Sequence, residues 1–468
     1  MTERIKIAIQ KSGRLTEHSL TLLQKCGLII SHTKDQLIGY GENMPFDIMF
    51  VRDDDIPGLI QENLCEIGII GKTNTGKTTF FNSATLASTE ISTYPFTTKK
   101  PQNGTAQAIT LCVHMEFKVQ CEPNHSKCAD GWRYIPIELI DLPGLIKDAW
   151  KGKGLGNQFL SIAAQSDALL HVVDCSGSID ASGKITEPGS GDPVSDFADI
   201  EEELVMWYQK ILEGNRDKLS KNIRDGTDQV DALTELYQGI GVKKSHVIQA
   251  LKTTGLEDTP FDEFEMGQTK ELAKILRKIS KPTLIVANKI DVPGADKNFN
   301  RLRERYNEVI TVPASADSEL TLRRAEQQDL IKYSPGSEQF DVVKPEELND
   351  KQTNALNFIK QDIMGEYMRT GVQFAINVTV FKLLKMNAIF PVADETNMSD
   401  KKGRVLPDLF LLKDGATVKN LANEIHTDLS KGLLHAKDLR YNLRLPTHYQ
   451  LRDRDVISLV SATKKSTG

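Results

Sequence analysis

Gly71-Lys72-Thr73-Asn74-Thr75-Gly76-Lys77-Thr78 fits the pattern G-x-x-x-x-G-K-[ST]. Residues of these types at this spacing are suited to holding phosphate oxygens. The glycines let the backbone curl until successive N–H groups converge on an anion, and a helix starting directly after them adds the positive end of its dipole. In such a loop Asn74, Thr75, Gly76 and Thr79 line the cradle. Lys77 reaches the β- and γ-phosphates, and the Thr78 hydroxyl ligates Mg2+.

Three more clusters extend that chemistry. Asp141-Leu142-Pro143-Gly144 is a D-x-x-G sequence. Its Asp141 is expected to hold Mg2+ through water and its Gly144 N–H to meet a γ-phosphate. Asn288-Lys289-Ile290-Asp291 is an N-K-x-D sequence, in which Asp291 can accept two hydrogen bonds from the N1–H and 2-amino groups of guanine. Adenine offers neither donor, so such a site discriminates strongly. After it, Ser315 and Ala316 are expected to offer a backbone N–H to guanine O6. Tyr94-Pro95-Phe96-Thr97-Thr98 is a Pro-broken, Thr-rich loop able to lay a hydroxyl on the same Mg2+. Cys112, Cys121 and Cys128, with His114 and His125 between them, match no common zinc spacing, because paired C-x2–4-C knuckles are absent. Free thiols in a loop insertion are the expected reading, with a metal site as the alternative.

The elements that must position these groups are legible as apolar runs. Ile67–Ile70, Ile135–Ile140, Ala168–Asp174, Thr283–Ala287 and Val309–Pro313 read as buried strands. Four motifs sit at the carboxyl ends of such strands, where α/β sheets place their ligands. Asp196–Ser280 is helical by periodicity and carries no phosphate-loop chemistry, so it reads as an inserted helical domain. Before the phosphate loop, Ile5–Ile9, Leu28–Ser31 and Ile48–Val51 read as strands, Thr16–Cys26 as a helix, and Asp53–Asp55 as the cap of a helix running to Leu64.

Composition bounds the class. The 468 residues are 39% hydrophobic and 26% charged, as in globular proteins. No apolar run approaches the roughly 20 residues of a membrane helix. Charges flank the short apolar patch at the N-terminus, so it does not read as a secretory signal. Six cysteines in this length favour a reducing, cytoplasmic setting over a disulfide scaffold. From Lys401 to Gly468 the chain has 13 Lys+Arg against 7 Asp+Glu, a net +6 on a molecule of net −6. A basic end on an acidic body suggests a polyanion contact there.

From about Ile67 to Thr463 the chain resembles the Obg/YchF-type P-loop GTPases, closest to their archaeal branch. The residues that carry this are GKTNTGKTTFF (71–81), YPFTT (94–98), DLPGLI (141–146), GKGLGNQFL (152–160), HVVDCSGS (171–178), NKID (288–291) and SPGSEQF (334–340). Residues 405–436 and 451–460 resemble a TGS domain, a small β-grasp module. Residues 1–70 resemble the start of ATP phosphoribosyltransferase through QKSGRL (10–15), ENMP (42–45), VRDDDIPGL (51–59) and GIIG (68–71), without the later loop that would hold phosphoribosyl pyrophosphate. Gly68–Gly71 satisfies both resemblances. The loop is useless without its strand, so the strand is assigned to the nucleotide domain and the preceding residues to an appendage.

The expected architecture is α/β. It comprises a phosphoribosyltransferase-like fragment (1–66), a GTPase sheet flanked by helices (67–195 and 281–400), the helical insertion (196–280) and a TGS domain (401–468). The resemblance implies GTP and GDP as ligands, Mg2+ held by Thr78, Thr98 and Asp141, and a ribosome, rRNA or tRNA partner. By family position Thr98, rather than Thr97, is the switch-loop ligand. Some relatives have lost N-K-x-D and read adenine, whereas Asn288, Lys289 and Asp291 are kept here. Leu145 follows D-x-x-G where a water-orienting Gln would stand, which implies slow intrinsic hydrolysis. Family members with Asn at position 74 can hold K+ between the phosphates. The expected catalytic set is therefore Lys77, Asn74, Thr98 and Gly144. An ATPase of the same fold, a vestigial nucleotide site and a phosphoribosyltransferase are the competing readings.

Overall fold

A computed structural model describes residues 5–10, 14–28, 30–31, 38–41, 46–51, 65–86, 101–124, 126–145, 149–151, 163 and 166–462. The expected helix ending at Leu64, the Thr97/Thr98 loop, His125 and the Gly152–Gly156 segment lie outside these residues. The chain divides into two compact units, Met1–Leu64 and Cys65–Gly468.

In the first unit β1 (Ile5–Gln10), β2 (Ile30–Ser31), β3 (Ile38–Gly41) and β4 (Phe46–Val51) form one sheet in the order β1-β4-β3-β2. β1 and β4 are parallel, and the other pairs are antiparallel. A helix, Arg14–Lys25, follows β1.

The second unit is built on β5 (Glu66–Ile70), β6 (Gln102–Leu111), β7 (Lys127–Ala129), β8 (Trp132–Asp141), β9 (Ala168–Asp174), β10 (Thr283–Asn288) and β11 (Thr311–Pro313). Their order is β11-β10-β9-β5-β8-β6, with β7 also on β8. The run from β11 to β8 is parallel, and β6 and β7 are antiparallel to β8. Each residue of β9 is buried, which explains why its sequence is apolar but for His171 and Asp174, since a parallel strand covered on both faces needs no polar side. β6 is a strand that the apolar runs of the sequence do not announce. Its alternating burial marks a strand with one covered face.

Between β9 and β10 the chain leaves the sheet for five helices, Pro193–Gly214, Arg216–Arg224, Gln229–Tyr237, Lys244–Thr254 and Met266–Ser280. Their apolar faces share a core with Ile70, Ile140, Leu142 and Leu169 on one side of the sheet. After β11 and a short hairpin, β12 (Ile331–Lys332) and β13 (Asp341–Val342), helical segments return the chain to a five-stranded sheet. That sheet comprises β14 (Met386–Val392), β15 (Phe410–Lys413), β16 (Leu433–Asp438), β17 (Leu443–Leu445) and β18 (Val456–Ser461), in the order β15-β14-β18-β16-β17. The helix Val418–Ile425 covers it through Val418, Leu421 and Ala422. β14 is an inner strand of this module but lies upstream of position 401, where the sequence suggests a boundary. The sheet joins this one strand from upstream to four from beyond that position.

Candidate nucleotide-binding site

β5 ends in the Gly-rich loop, and Lys77–Thr85 is the helix that the loop opens. Gly71 has φ +147, and a Cβ there would meet the Val172 carbonyl of β9. Gly76 has φ +92, and a Cβ there would sit 2.3 Å from Asn288 Nδ2. Both glycines are therefore needed for backbone conformation and for close approach. Within the loop, Thr75 Oγ1 donates to Lys72 O at 3.0 Å and Lys77 Nζ to the same carbonyl at 2.6 Å. Lys77 is sealed from water, and burial pushes its pKa down to about 8 against the opposing pull of Asp141.

Asp141 ends β8, fully buried, and accepts from Thr78 Oγ1 at 2.8 Å through Oδ2. Its Oδ1 is buried with no hydrogen-bond partner. Burial holds this carboxyl above its usual range, although Lys77 and Thr78 pull the other way. An orphaned carboxylate oxygen beside a hydroxyl is a donor set of the kind a hard divalent cation takes. Gly144 lies against Thr73, where a Cβ would come within 3.0 Å of the Thr73 nitrogen. Leu145 turns away into the core shared with the helical insertion.

The N-K-x-D loop is joined directly to the phosphate loop. Asn288 Nδ2 donates to Thr75 O at 2.9 Å, and Asn288 Oδ1 accepts from the Ala316 N–H at 3.1 Å. Lys289, at φ +59, donates to Asp174 Oδ2 at 2.9 Å and to Ser178 Oγ at 3.2 Å. Asp291 is half-buried. Asp317 lies near enough that burial first, and then the Asp291 charge, raise its pKa.

The Ser315 N–H is taken by Thr370 O at 2.8 Å and the Ala316 N–H by Asn288. Ser315 caps the helix Ala316–Gln327, and Ala316 completes the Asn288 brace. Asn74 is at φ +63, and its Nδ2 is held at 2.9 Å by Gly183 O, leaving its oxygen as the remaining polar atom. Thr79, on the first turn of the helix, is half-buried. Thr98 is outside the described residues.

Residues missed by sequence reasoning complete the frame. Asp174 is fully buried and also accepts from the Ser176 N–H at 2.9 Å. Its signal is the one carboxylate ending the mostly apolar strand ALLHVVD. Asp196 and Asp199 hold Lys72 at 2.6 and 3.0 Å and so tie the phosphate loop to the first inserted helix. Nothing in their spacing marks them out.

Loop, strand order and carboxylate placement define a P-loop nucleotide-binding α/β protein with an appended β-grasp-like sheet. Comparison with known proteins agrees. Family models match as "50S ribosome-binding GTPase" over residues 66–209, "Obg-like GTPase YGR210-like, G4 motif-containing domain" over 286–394 and "TGS domain" over 397–461. An uncharacterised GTP-binding protein of Methanocaldococcus jannaschii is 41% identical over 402 residues, 85% of this chain and 99% of that protein. The crystal structure of a GTP-binding protein from Pyrococcus horikoshii superposes with a TM-score of 0.69 at 33% identity, covering 85% of this chain and all of that one. A ribosome-binding ATPase, YchF, of Bacillus subtilis is 29% identical over 56% of this chain and 69% of its own length. The chain belongs to the Obg/YchF-type family of P-loop GTPases. Separately, 70 residues are 54% identical to ATP phosphoribosyltransferase of Xylella fastidiosa, 15% of this chain and only 23% of that enzyme. No helix among the described residues is long and apolar enough to cross a membrane.

Proposed function

We infer that this chain binds GTP and hydrolyses it slowly to GDP and phosphate, acting as a cytoplasmic switch on ribosomes or their RNA. The observation that carries the reading is the Asn288 brace, which joins the phosphate loop to a loop that keeps Asp291. Base and phosphates then address one rigid frame. Asp291 accepts the two guanine donors, and Lys77 leaves Lys72 O for the β- and γ-phosphate oxygens. Thr78 and Asp141, with Thr98 from the switch loop, would hold Mg2+, whose charge offsets that on the phosphates. The Gly144 N–H contacts the γ-phosphate.

With Leu145 buried, no amide side chain at that position orients water. The Asn74 oxygen, its amide nitrogen fixed by Gly183, is the residue positioned to hold a K+ against the phosphates. Electrostatic stabilisation is the larger catalytic term in this chemistry. The basic C-terminal module and the name of the Bacillus relative support a ribosomal or RNA partner. Salt-sensitive co-sedimentation with ribosomes tests that part.

Equilibrium competition of GTP against ATP tests the base. Asp291→Asn is expected to weaken GTP binding by roughly 2–4 kcal/mol, since it replaces a charged acceptor with a group that also presents donors. Equal affinity of the unaltered protein for the two nucleotides would overturn the assignment.

A further inference from the structure

Cys112, His114, Cys121 and Cys128 are far apart by zinc-motif standards, yet the fold gathers their ligand atoms within 4.8 Å of one another. Cys112 follows β6, His114 opens the single helical turn His114–Phe117, and Cys128 is on β7. Cys121 comes from the loop between them. The gathering is done by pairing across strands. β7 and β8 form a hairpin through Asp130 and Gly131, both at positive φ, and the Gly131 carbonyl accepts from the Cys112 N–H at 2.8 Å. An Asp-Gly pair is the residue choice for a tight two-residue hairpin.

The distances have a definite shape. Cys112 Sγ lies 3.9 Å from Cys121 Sγ, and His114 Nδ1 lies 3.4 Å from Cys121 Sγ and 3.5 Å from Cys128 Sγ. With Zn–S near 2.3 Å and Zn–N near 2.0 Å, a tetrahedron has S–S edges of about 3.8 Å and S–N edges of about 3.5 Å. Charge points the same way. Arg133 is fully buried and donates to Ser126 Oγ at 3.0 Å and Leu406 O at 2.6 Å. Among the described residues no carboxylate pairs with it. A buried guanidinium needs a counter-charge. Three thiolates and a neutral imidazole around Zn2+ supply a net −1 beside it.

We propose that Cys112, His114, Cys121 and Cys128 form a closed structural zinc site, and that it fixes the surface on which the C-terminal module docks. The loop it ties presents Glu116 to Arg440 and Arg454 at 2.9 and 3.2 Å, and the Glu122 N–H to Val405 O at 2.8 Å. Asn124 Oδ1 accepts from Arg404 at 2.6 Å. With four protein ligands no position is left for substrate, so the role is architectural. Three soft thiolates favour zinc over the oxygen-seeking divalent ions.

The test starts with the full-length protein from zinc-supplemented medium, desalted and assayed for metals. One Zn2+ per chain is expected. Replacement by Co2+ should give thiolate-to-metal charge transfer and the intense visible bands of a tetrahedral centre. Under native conditions the exposed Cys26 should alkylate at once, and Cys112, Cys121 and Cys128 only after a strong chelator is added. Cys128→Ser and His114→Ala should each lower zinc content at least 10-fold while GTP binding, read separately, persists. Chelation should increase amide exchange around residues 404–406 and 440. Zinc below a tenth of an atom per chain with no cobalt spectrum overturns the proposal. So does protection of two of the three cysteines that yields to reductant but not to chelator, which would mean a disulfide between them, or full zinc retention by both variants.

Discussion

β8 carries a different kind of polar cluster at each end. At its carboxyl end, Asp141 and the neighbouring Lys77 are buried charges whose satisfaction is unfinished, one oxygen unbonded and one ammonium resting on a single carbonyl. At its amino end, the four ligand atoms beside Arg133 face one another and close on themselves. The first arrangement is poised for something that comes and goes, and its cost is borne by the free protein. The second is suited to a permanent guest that becomes part of the fold. Removing a charged group should therefore strengthen the fold at one end, whereas removing a ligand should weaken it at the other.

The widest separation is expected from Lys77→Met, which keeps the aliphatic stem. GTP binding should fall by about 3 kcal/mol or more, the loss of charge-assisted bonds to phosphate. The nucleotide-free protein should become more stable at neutral pH, by something of order 1–3 kcal/mol. The sign follows from the depressed lysine. Between about pH 8 and the unfolded value of 10.5 the unfolded chain binds more protons, so stability rises with pH across that window. Denaturant unfolding at several pH values should show that rise in the unaltered protein and not in the variant. Asp141 carries the opposite slope, which Asp141→Asn would remove. Its carboxyl is raised in the fold, so the folded protein holds the proton more tightly, and stability falls as pH climbs from the usual carboxyl value through the raised one. The variant should flatten that fall and lose Mg2+-dependent nucleotide binding. A less stable Lys77→Met protein at pH 7 would break the contrast drawn between the two ends of β8.

Gly76→Ala probes the brace. A methyl group at φ +92, aimed at Asn288 Nδ2, should cost about 2–3 kcal/mol in GTP affinity. Because it displaces a residue shared by two loops, discrimination between GTP and ATP should shrink along with affinity. Retained selectivity would show that Asn288 does not link them.

The smallest effect concerns turnover. Hydrolysis in K+ is expected to exceed that in Na+ by about 10-fold, equivalent to about 1.4 kcal/mol of barrier. Asn74→Ala should erase the difference while leaving binding nearly intact. Identical rates in matched salts would leave the Asn74 bond to Gly183 as a loop anchor and nothing more.

The nucleotide end was legible because its chemistry is contiguous. A tetrapeptide or octapeptide following an apolar strand announces both a geometry and a ligand, as at 71–78, 141–144 and 288–291. The role of Asn288 was only half visible. Its place in the motif was clear, but its bonds to Thr75 and Ala316 depend on how β5, β10 and β11 line up, which no local pattern records. The same holds for Ser315 and Ala316, whose N–H groups meet Thr370 O and Asn288 Oδ1 in the fold. The cysteine cluster was illegible by spacing because hairpin pairing, and not chain distance, assembles it. The usable signal is Asp130-Gly131 just before the strand Trp132–Asp141, a turn that folds Cys128 back toward Cys112 and His114.

The helical insertion has a consequence for how the sheet is made. β9 and β10 lie side by side, yet a hundred or so residues separate them, a span whose closure entropy would slow folding if the segment were slack. It is not slack. Its first and last helices, Pro193–Gly214 and Met266–Ser280, pack along each other. They are clipped by Arg277 to Glu201 at 2.8 Å and by Tyr208 to Ser280 at 3.1 Å. Once that pair forms, the chain leaves and re-enters the sheet through neighbouring doors, and the effective distance between the two strands is that of a short turn. Assembly of the parallel sheet then waits on helix pairing, and lesions at Glu201 or Arg277 should be felt first as slow folding and only afterwards as lost affinity.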